Sequence, residues 1–181
     1  VTPAGPTFAV VAVTLLIAHN VADHWVQTIE QEKDKGLPGW PGRRACATHV
    51  LTYTLTTAAA VGLVWSLFDL QITWWGFAAG QLVSAVTHYW ADRRTTLAWL
   101  CAGLGKSKFY DLGQPRQVVG VRITGIRGDE TIRPYQSHKN REPIGWEVPW
   151  DNTTLGTGAY ALDQAWHWAF LGLAAIVTAV L

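Results

Sequence analysis

Residues 8–29 read FAVVAVTLLIAHNVADHWVQTI, an apolar run whose second half carries His19 and Asp23 four residues apart. A helix rises ~1.5 Å per residue, so ~20 apolar residues are enough to cross a hydrocarbon core. Three more blocks have the same form: Cys46 to Phe68, Ile72 to Trp90 with Asp92 just beyond it, and Ala159 to Leu181. A chain of 181 residues, 49% hydrophobic and 15% charged, has no water-facing partner large enough to enclose four such blocks. The sequence therefore predicts an all-α membrane protein, a four-transmembrane-helix bundle with spans at about 8–29, 46–68, 72–92 and 159–181. One membrane domain is expected over residues 1–181, with 93–158 a cytoplasmic insertion containing a small β-hairpin.

Tryptophan positions agree with this reading. Trp40 precedes the second block, Trp74 and Trp75 open the third and Trp90 closes it, where an amphipathic ring meets lipid headgroups. Cys46 and Cys101 form neither a disulfide framework nor a zinc-ribbon spacing. The net charge of +1 hides an asymmetry: all 14 Lys and Arg fall in two segments. Lys33, Lys35, Arg43 and Arg44 lie between the first and second blocks, and the rest lie from Arg93 to Arg141. With four spans both segments face one side, so the positive-inside bias places them in the cytoplasm and both termini outside. The first block lacks a basic n-region and is expected to stay in the membrane rather than be cleaved.

Within the insertion, Arg93 to Phe109 reads as a helix continuing from the third span, with Leu97, Leu100, Cys101 and Leu104 as its apolar stripe. Apolar and polar residues alternate over Val118 to Ile123 and Thr131 to Tyr135 around a turn at Gly125 to Asp129, which predicts the hairpin. Pro143, Pro149 and Gly156 break the remainder into loop.

Ionisable side chains inside spanning helices cost several kcal/mol when unpaired, so they demand a partner or a purpose. Here they repeat one spacing. His19 and Asp23, His88 and Asp92, and Asp163 and His167 each stand four apart, and His49 begins the second block with Tyr53 and Thr56 above it. At ~100° per residue each pair shares one helix face. Alternating span direction brings all seven to the cytoplasmic end of the bundle. A His and a carboxylate one turn apart suit a divalent zinc, manganese or iron ion held in a bundle core. The expected ligands are His19, Asp23, His49, His88, Asp92, Asp163 and His167, and the set is large enough for two ions or for one ion with outer carboxylates. The plainer alternative is a hydrogen-bond network that glues the helices. His24 points away from the inward stripe, and His138 reads as solvated. Gly76 and Gly80 form a small-residue pair suited to close helix packing. Lys106, Lys108, Arg116, Arg122, Arg127 and Arg133 could attract headgroups or phosphates, or simply mark the cytoplasmic side.

The stretches HNVADHWVQ (19–27), THVLTY (48–53), HYWADRR (88–94) and GAYALDQAWHW (158–168), with KSKFYDLG (106–113), together resemble an uncharacterised family of small four-span integral-membrane proteins. That family is frequent in actinobacteria and their phages and carries a domain of unknown function. The resemblance implies a bacterial plasma-membrane protein with a shared His/Asp site and names no reaction. Residues 116–154 form a longer link than is usual there. A looser likeness connects the pattern to membrane-bound metal-dependent hydrolases.

Three functions fit these residues. The first is a metal-dependent hydrolase acting on a membrane lipid or phosphoester at the inner leaflet, with Asp23, Asp92 or Asp163 as the catalytic carboxylate. No nucleophile elbow, phosphate loop or zincin helix accompanies it. The second is a non-catalytic membrane adaptor or accessory subunit, its cluster structural and its cytoplasmic loop binding a protein partner. The third is a proton or ion relay, disfavoured because the outer half of each block is almost wholly apolar. No nucleic-acid partner is expected, and association with a second copy stays open.

Overall fold

The computed structural model describes residues 4–112, 134–136, 143–146 and 158–181. Two compact units divide the chain: Val1–Leu100 with Asp163–Leu181, and Cys101–Leu162.

In the first unit, helix α1 (Ala4–Val21) runs into a π-helical turn over Ala22–Val26, closed where the Gln27 N–H donates to the Ala22 carbonyl at 2.9 Å. A short helix α2 follows (Ile29–Asp34), then the long α3 (Gly39–Phe68) and α4 (Trp74–Asp92). Helix α5 (Thr95–Gly103) begins here, and α7 (Gly158–Val180) returns from Asp163 onward. Val11 and Leu15 of α1, Val61 of α3, Leu171, Ala174 and Ala175 of α7 and Ile72 of the α3–α4 connection form the apolar core, against which Phe77 and Val83 of α4 pack. Asp69 ends α3 in the left-handed conformation at φ 48°, and the Thr73 hydroxyl caps α4 by accepting from the Gly76 N–H at 2.9 Å.

Glycine sets how closely α4 meets α7. A Cβ on Gly80 would overlap the Thr178 hydroxyl and lie 2.9 Å from the Ala174 carbonyl oxygen. One on Gly76 would lie 2.8 Å from the Thr178 carbonyl oxygen, so neither position has room for a side chain.

The four-span expectation is corrected here. Among the described residues two helices are long and apolar enough to cross a membrane, Ala4–Val26 and Gly39–Phe68. Helices α4 and α7 pack beside them, but Gln81, Ser84, His88 and Asp92 on one, and Asp163, Gln164 and His167 on the other, dilute their hydropathy. Interruptions that an apolar block tolerates on inspection are enough to remove a helix from the spanning class.

Other boundaries move for local reasons. The first block stops at Gln27, because Thr28 opens α2 with a capping box: its hydroxyl accepts from the Gln31 N–H at 3.2 Å and the Gln31 side chain accepts from the Thr28 N–H at 2.9 Å. The second begins at Gly39, well before Cys46. The helix expected over 93–109 is broken at Arg94 (φ 55°) and again at Gly105 (φ 68°), giving α5 and a separate α6 (Ser107–Tyr110). Leu97 and Cys101 of the expected stripe are buried, whereas Leu104 is exposed.

The second unit contains the end of α5, α6, two short strands and the start of α7. Strand β1 (Pro134–Gln136) pairs antiparallel with β2 (Pro143–Trp146), Pro134 opposite Trp146, with an irregularity between Tyr135 and Gln136. The hairpin expected from 118 to 135 is thus corrected: Tyr135 pairs forward with Gly145, and Val118 to Ile123 lies outside the described residues. Pro143 had read as a breaker, but a two-stranded pair consists only of edges, where proline's missing N–H is tolerated. Gly158 opens α7 at φ 57°, tight against the Leu112 carbonyl, which excludes any Cβ.

Candidate metal centre

Five elements of the first unit each bring polar side chains to one place. Helix α1 supplies His19 and the π turn supplies Asp23; π turns widen a helix by one residue and recur at functional sites. Helix α3 contributes His49, α4 contributes His88 and Asp92, and α7 contributes Asp163 and His167. His19, His49, His88, Asp92 and His167 are all buried, Asp23 is nearly so, and Asp163 is 29% exposed at its side chain.

The tightest group has four atoms. His49 Nε2 and His88 Nε2 are 3.0 Å apart. Asp92 Oδ2 lies 3.2 Å from the first and 3.3 Å from the second, and Asp23 Oδ1 lies 3.5 and 3.6 Å from them. A tetrahedral ion with ~2.0–2.1 Å bonds separates its ligand atoms by roughly 3.3–3.4 Å. The five separations, 3.0 to 3.6 Å, bracket the length that a first-row divalent ion requires.

Satisfaction of the polar atoms points the same way. Asp23 Oδ1, Asp92 Oδ2 and His167 Nε2 are buried without a hydrogen-bond partner among the described residues. Buried polar atoms are normally paired, so unpaired ones, two of them beside the His49 and His88 pair, call for a bound water or ion. The Nδ1 atoms of His49 and His88 also lack hydrogen-bond partners there, so packing orients these rings. Tyr53 stacks on His88 with centroids 3.8 Å apart, and its hydroxyl is tied to Ser84 Oγ at 2.7 Å. One turn further, Thr57 donates to Gln81 Oε1 at 2.9 Å. Thr56 instead donates to the Thr52 carbonyl of its own helix.

A second group lies beside the first. His167 Nε2 is 3.5 Å from Asp163 Oδ1 and 3.7 Å from Asp92 Oδ1. His19 Nδ1 is 3.5 Å from Asp23 Oδ2, and its Nε2 is 3.4 Å from Gln164 Oε1. Within each of the groups His19/His88/His167, Asp23/His49/His88 and Asp92/Asp163/His167, the ligand atoms come close enough to hold an ion. All seven residues singled out by spacing are in these groups, whereas His24 is exposed. His138, Arg116, Arg122, Arg127 and Arg133 lie outside the described residues, while Lys106 and Lys108 are exposed.

Lys35 was not legible as part of this site. It is 7% exposed, with Nζ 2.8 Å from Glu32 Oε2 and 3.3 Å from Asp92 Oδ1. With the Gln27 amide turned so that its oxygen faces this ammonium, it accepts from Nζ at 3.0 Å and its nitrogen donates to the Asp23 carbonyl at 3.1 Å. Burial pushes the ammonium down, but the Asp92 and Glu32 carboxylates outweigh it and hold Lys35 above the usual lysine range. Arg93 donates to the Lys35 carbonyl at 2.6 Å and the Leu37 carbonyl at 2.7 Å, and Arg94 pairs with Glu32. The basic residues at the end of α4 thus staple the connection between α2 and α3. A positive-inside count sees such residues only as solvated charge.

Lys35→Met is expected to destabilise the fold by about 3 kcal/mol, because it leaves the Asp92 charge buried and without its ammonium. Thermal unfolding in mild detergent measures this. An unchanged midpoint would show that Lys35 is a peripheral cation.

Comparisons with protein-family models, curated proteins and solved structures return no match for this chain, so its site is read from its own geometry.

Proposed function

We propose that this protein is a membrane-embedded, zinc-type metal-dependent hydrolase that cleaves a lipid or phosphoester at the inner leaflet. The observation that carries the reading is the convergence of His49, His88, Asp23 and Asp92, whose separations of 3.0 to 3.6 Å bracket those of ligand atoms around a tetrahedral ion. Imidazole and carboxylate donors suit zinc first, with manganese and iron as relatives in the same ligand chemistry.

Insertion is supported by the two long apolar helices and by their outward faces, where Val13 and Ile17 on α1 and Leu51, Leu55, Leu63 and Leu67 on α3 are exposed. The segment that joins them carries Lys33, Lys35, Arg43 and Arg44 and belongs on the cytoplasmic side. His19 and Asp23 stand near the end of one helix and His49 near the start of the next, so the centre sits at that cytoplasmic end, within reach of headgroups.

A bound divalent ion supplies a Lewis acid and lowers the pKa of a coordinated water toward ~7. The chain supplies the rest. Asp163 is the carboxylate outside the tight set and the most exposed of the three, so it takes the proton of the attacking water. His19 packs beside Asp23, its Nδ1 3.5 Å from Oδ2 without a hydrogen bond. Lys35, with Nζ 3.3 Å from Asp92 Oδ1, holds that carboxylate's other oxygen toward the histidine pair.

The test is metal content and hydrolysis on protein purified in mild detergent. Expected are at least one equivalent of a divalent metal and hydrolysis of a phosphodiester or lipid ester that chelation abolishes and zinc restores. Metal without hydrolysis would instead support an accessory subunit that docks a protein partner. Absence of metal binding even in excess zinc would leave only a structural network.

A further inference from the structure

We infer that the site holds a second divalent cation, bound by Asp92 Oδ1, Asp163 Oδ1 and His167 Nε2, with Asp92 bridging the two ions. This rests on the metal-centre reading above and adds the position where substrate is engaged.

Asp23, His49 and His88 form one group able to hold an ion, and Asp92, which approaches that histidine pair through Oδ2, also belongs to a second group with Asp163 and His167. Catalytic ions typically keep three protein ligands and an open position. The remaining polar side chains offer that arrangement. His167 Nε2 lies 3.5 Å from Asp163 Oδ1 and 3.7 Å from Asp92 Oδ1, and these three residues form a group able to hold an ion. His167 is 3% exposed, and its Nε2 has no hydrogen-bond partner among the described residues. This is a buried donor atom aimed between two carboxylates.

Asp92 divides its two oxygens between the groups: Oδ2 faces His49 and His88, while Oδ1 faces His167 and Lys35. A syn,syn carboxylate bridge is the usual way to hold two ions ~3.5–4 Å apart. The Lys35 ammonium shares Oδ1, and a carboxylate oxygen has a lone pair for each. Asp163 binds through Oδ1 and keeps Oδ2, which accepts from Gln164 Nε2 at 3.5 Å, for the proton of the attacking water.

Charge favours the second ion as well. Asp23, Asp92 and Asp163 are three carboxylates, and Lys35, which shares Glu32 with Arg94, offsets at most one of them. One divalent ion leaves the site between singly negative and neutral. Two leave it positive by one or two and attract an anionic substrate oxygen. The 29% exposure of Asp163 puts the opening on the second ion's side, so the substrate class is an anionic ester that enters past Asp163.

Full-length protein in mild detergent is stripped with chelator, reloaded with Mn(II), freed of excess ion and measured for metal equivalents and by electron paramagnetic resonance. Wild type is expected to hold two equivalents with the spectrum of an exchange-coupled pair. Asp163→Asn combined with His167→Ala is expected to hold one equivalent with an uncoupled six-line spectrum, the retained ion showing that the fold survives. One uncoupled equivalent in wild type, or two in the double variant, would overturn the second site while leaving the first. No equivalents in wild type would overturn the metal centre itself.

Discussion

His88→Ala is expected to lower affinity for Zn(II) by more than ~100-fold. Its Nε2 is 3.0 Å from His49 Nε2 and 3.3 Å from Asp92 Oδ2, at the middle of the four-atom set. Loss of an outer residue that merely orients a ligand already costs ~10–100-fold, and loss of a ligand exceeds that. Competition with a chromophoric chelator gives the affinity, and thermal unfolding supplies the control. Wild-type protein should gain about 2.7 kcal/mol of stability when Zn(II) is held at a hundred times its dissociation constant, and the variant should gain almost none. The substitution also removes the stacking partner of Tyr53, so the variant without metal should melt earlier than apo wild type. A variant that melts earlier but binds Zn(II) within about threefold of wild type would show that His88 belongs to a hydrogen-bond network.

Gly80→Leu is expected to dismantle the bundle. A Cβ at this position already overlaps the Thr178 hydroxyl, held by its hydrogen bond to the Ala174 carbonyl, and approaches that carbonyl itself, which belongs to a helix backbone that cannot turn aside. Helices α4 and α7 must then separate, at a cost of more than ~3 kcal/mol. His88 and Asp92 ride on α4 while Asp163 and His167 ride on α7, so metal binding is expected to fail together with packing. Gly62→Ala on α3 is the matched control, because its Cβ would meet nothing within 4 Å. It should leave stability unchanged or raise it by up to ~1 kcal/mol. Equal melting temperatures for Gly80→Leu and wild type in detergent would refute the close α4 to α7 approach.

The spacing of the site was legible because it is local. His19 with Asp23, His88 with Asp92 and Asp163 with His167 each share a face by helix geometry alone, whatever surrounds them. Gly76 and Gly80 were legible as a packing pair for the same reason. The capping box at Thr28 and Gln31 is also a local signal, but its Thr28 falls near the end of an apolar run that reads as continuous to Ile29. Span counting failed differently: α4 and α7 are apolar on their outward sides, with Leu82, Val86, Leu173 and Ile176 exposed, yet the polar residues of the site lower their average. The same side chains that identify the site thus take α4 and α7 out of the class of helices apolar enough to span a membrane.

Helical periodicity and charge distribution in the sequence by themselves determined that this is a helical chain with long apolar segments and a recurring His/Asp pair. Both follow from contacts between residues three or four apart, where the backbone leaves little choice. Only the tertiary structure decided that His49 meets His88, that Asp92 offers one oxygen to that pair and the other to His167, and that Lys35 is buried against it. Those distances depend on how closely whole helices approach, which small residues such as Gly80 set against Thr178. Pairing across helices leaves no periodic trace along the chain, because it is selected by packing and by the cost of an unpaired buried charge.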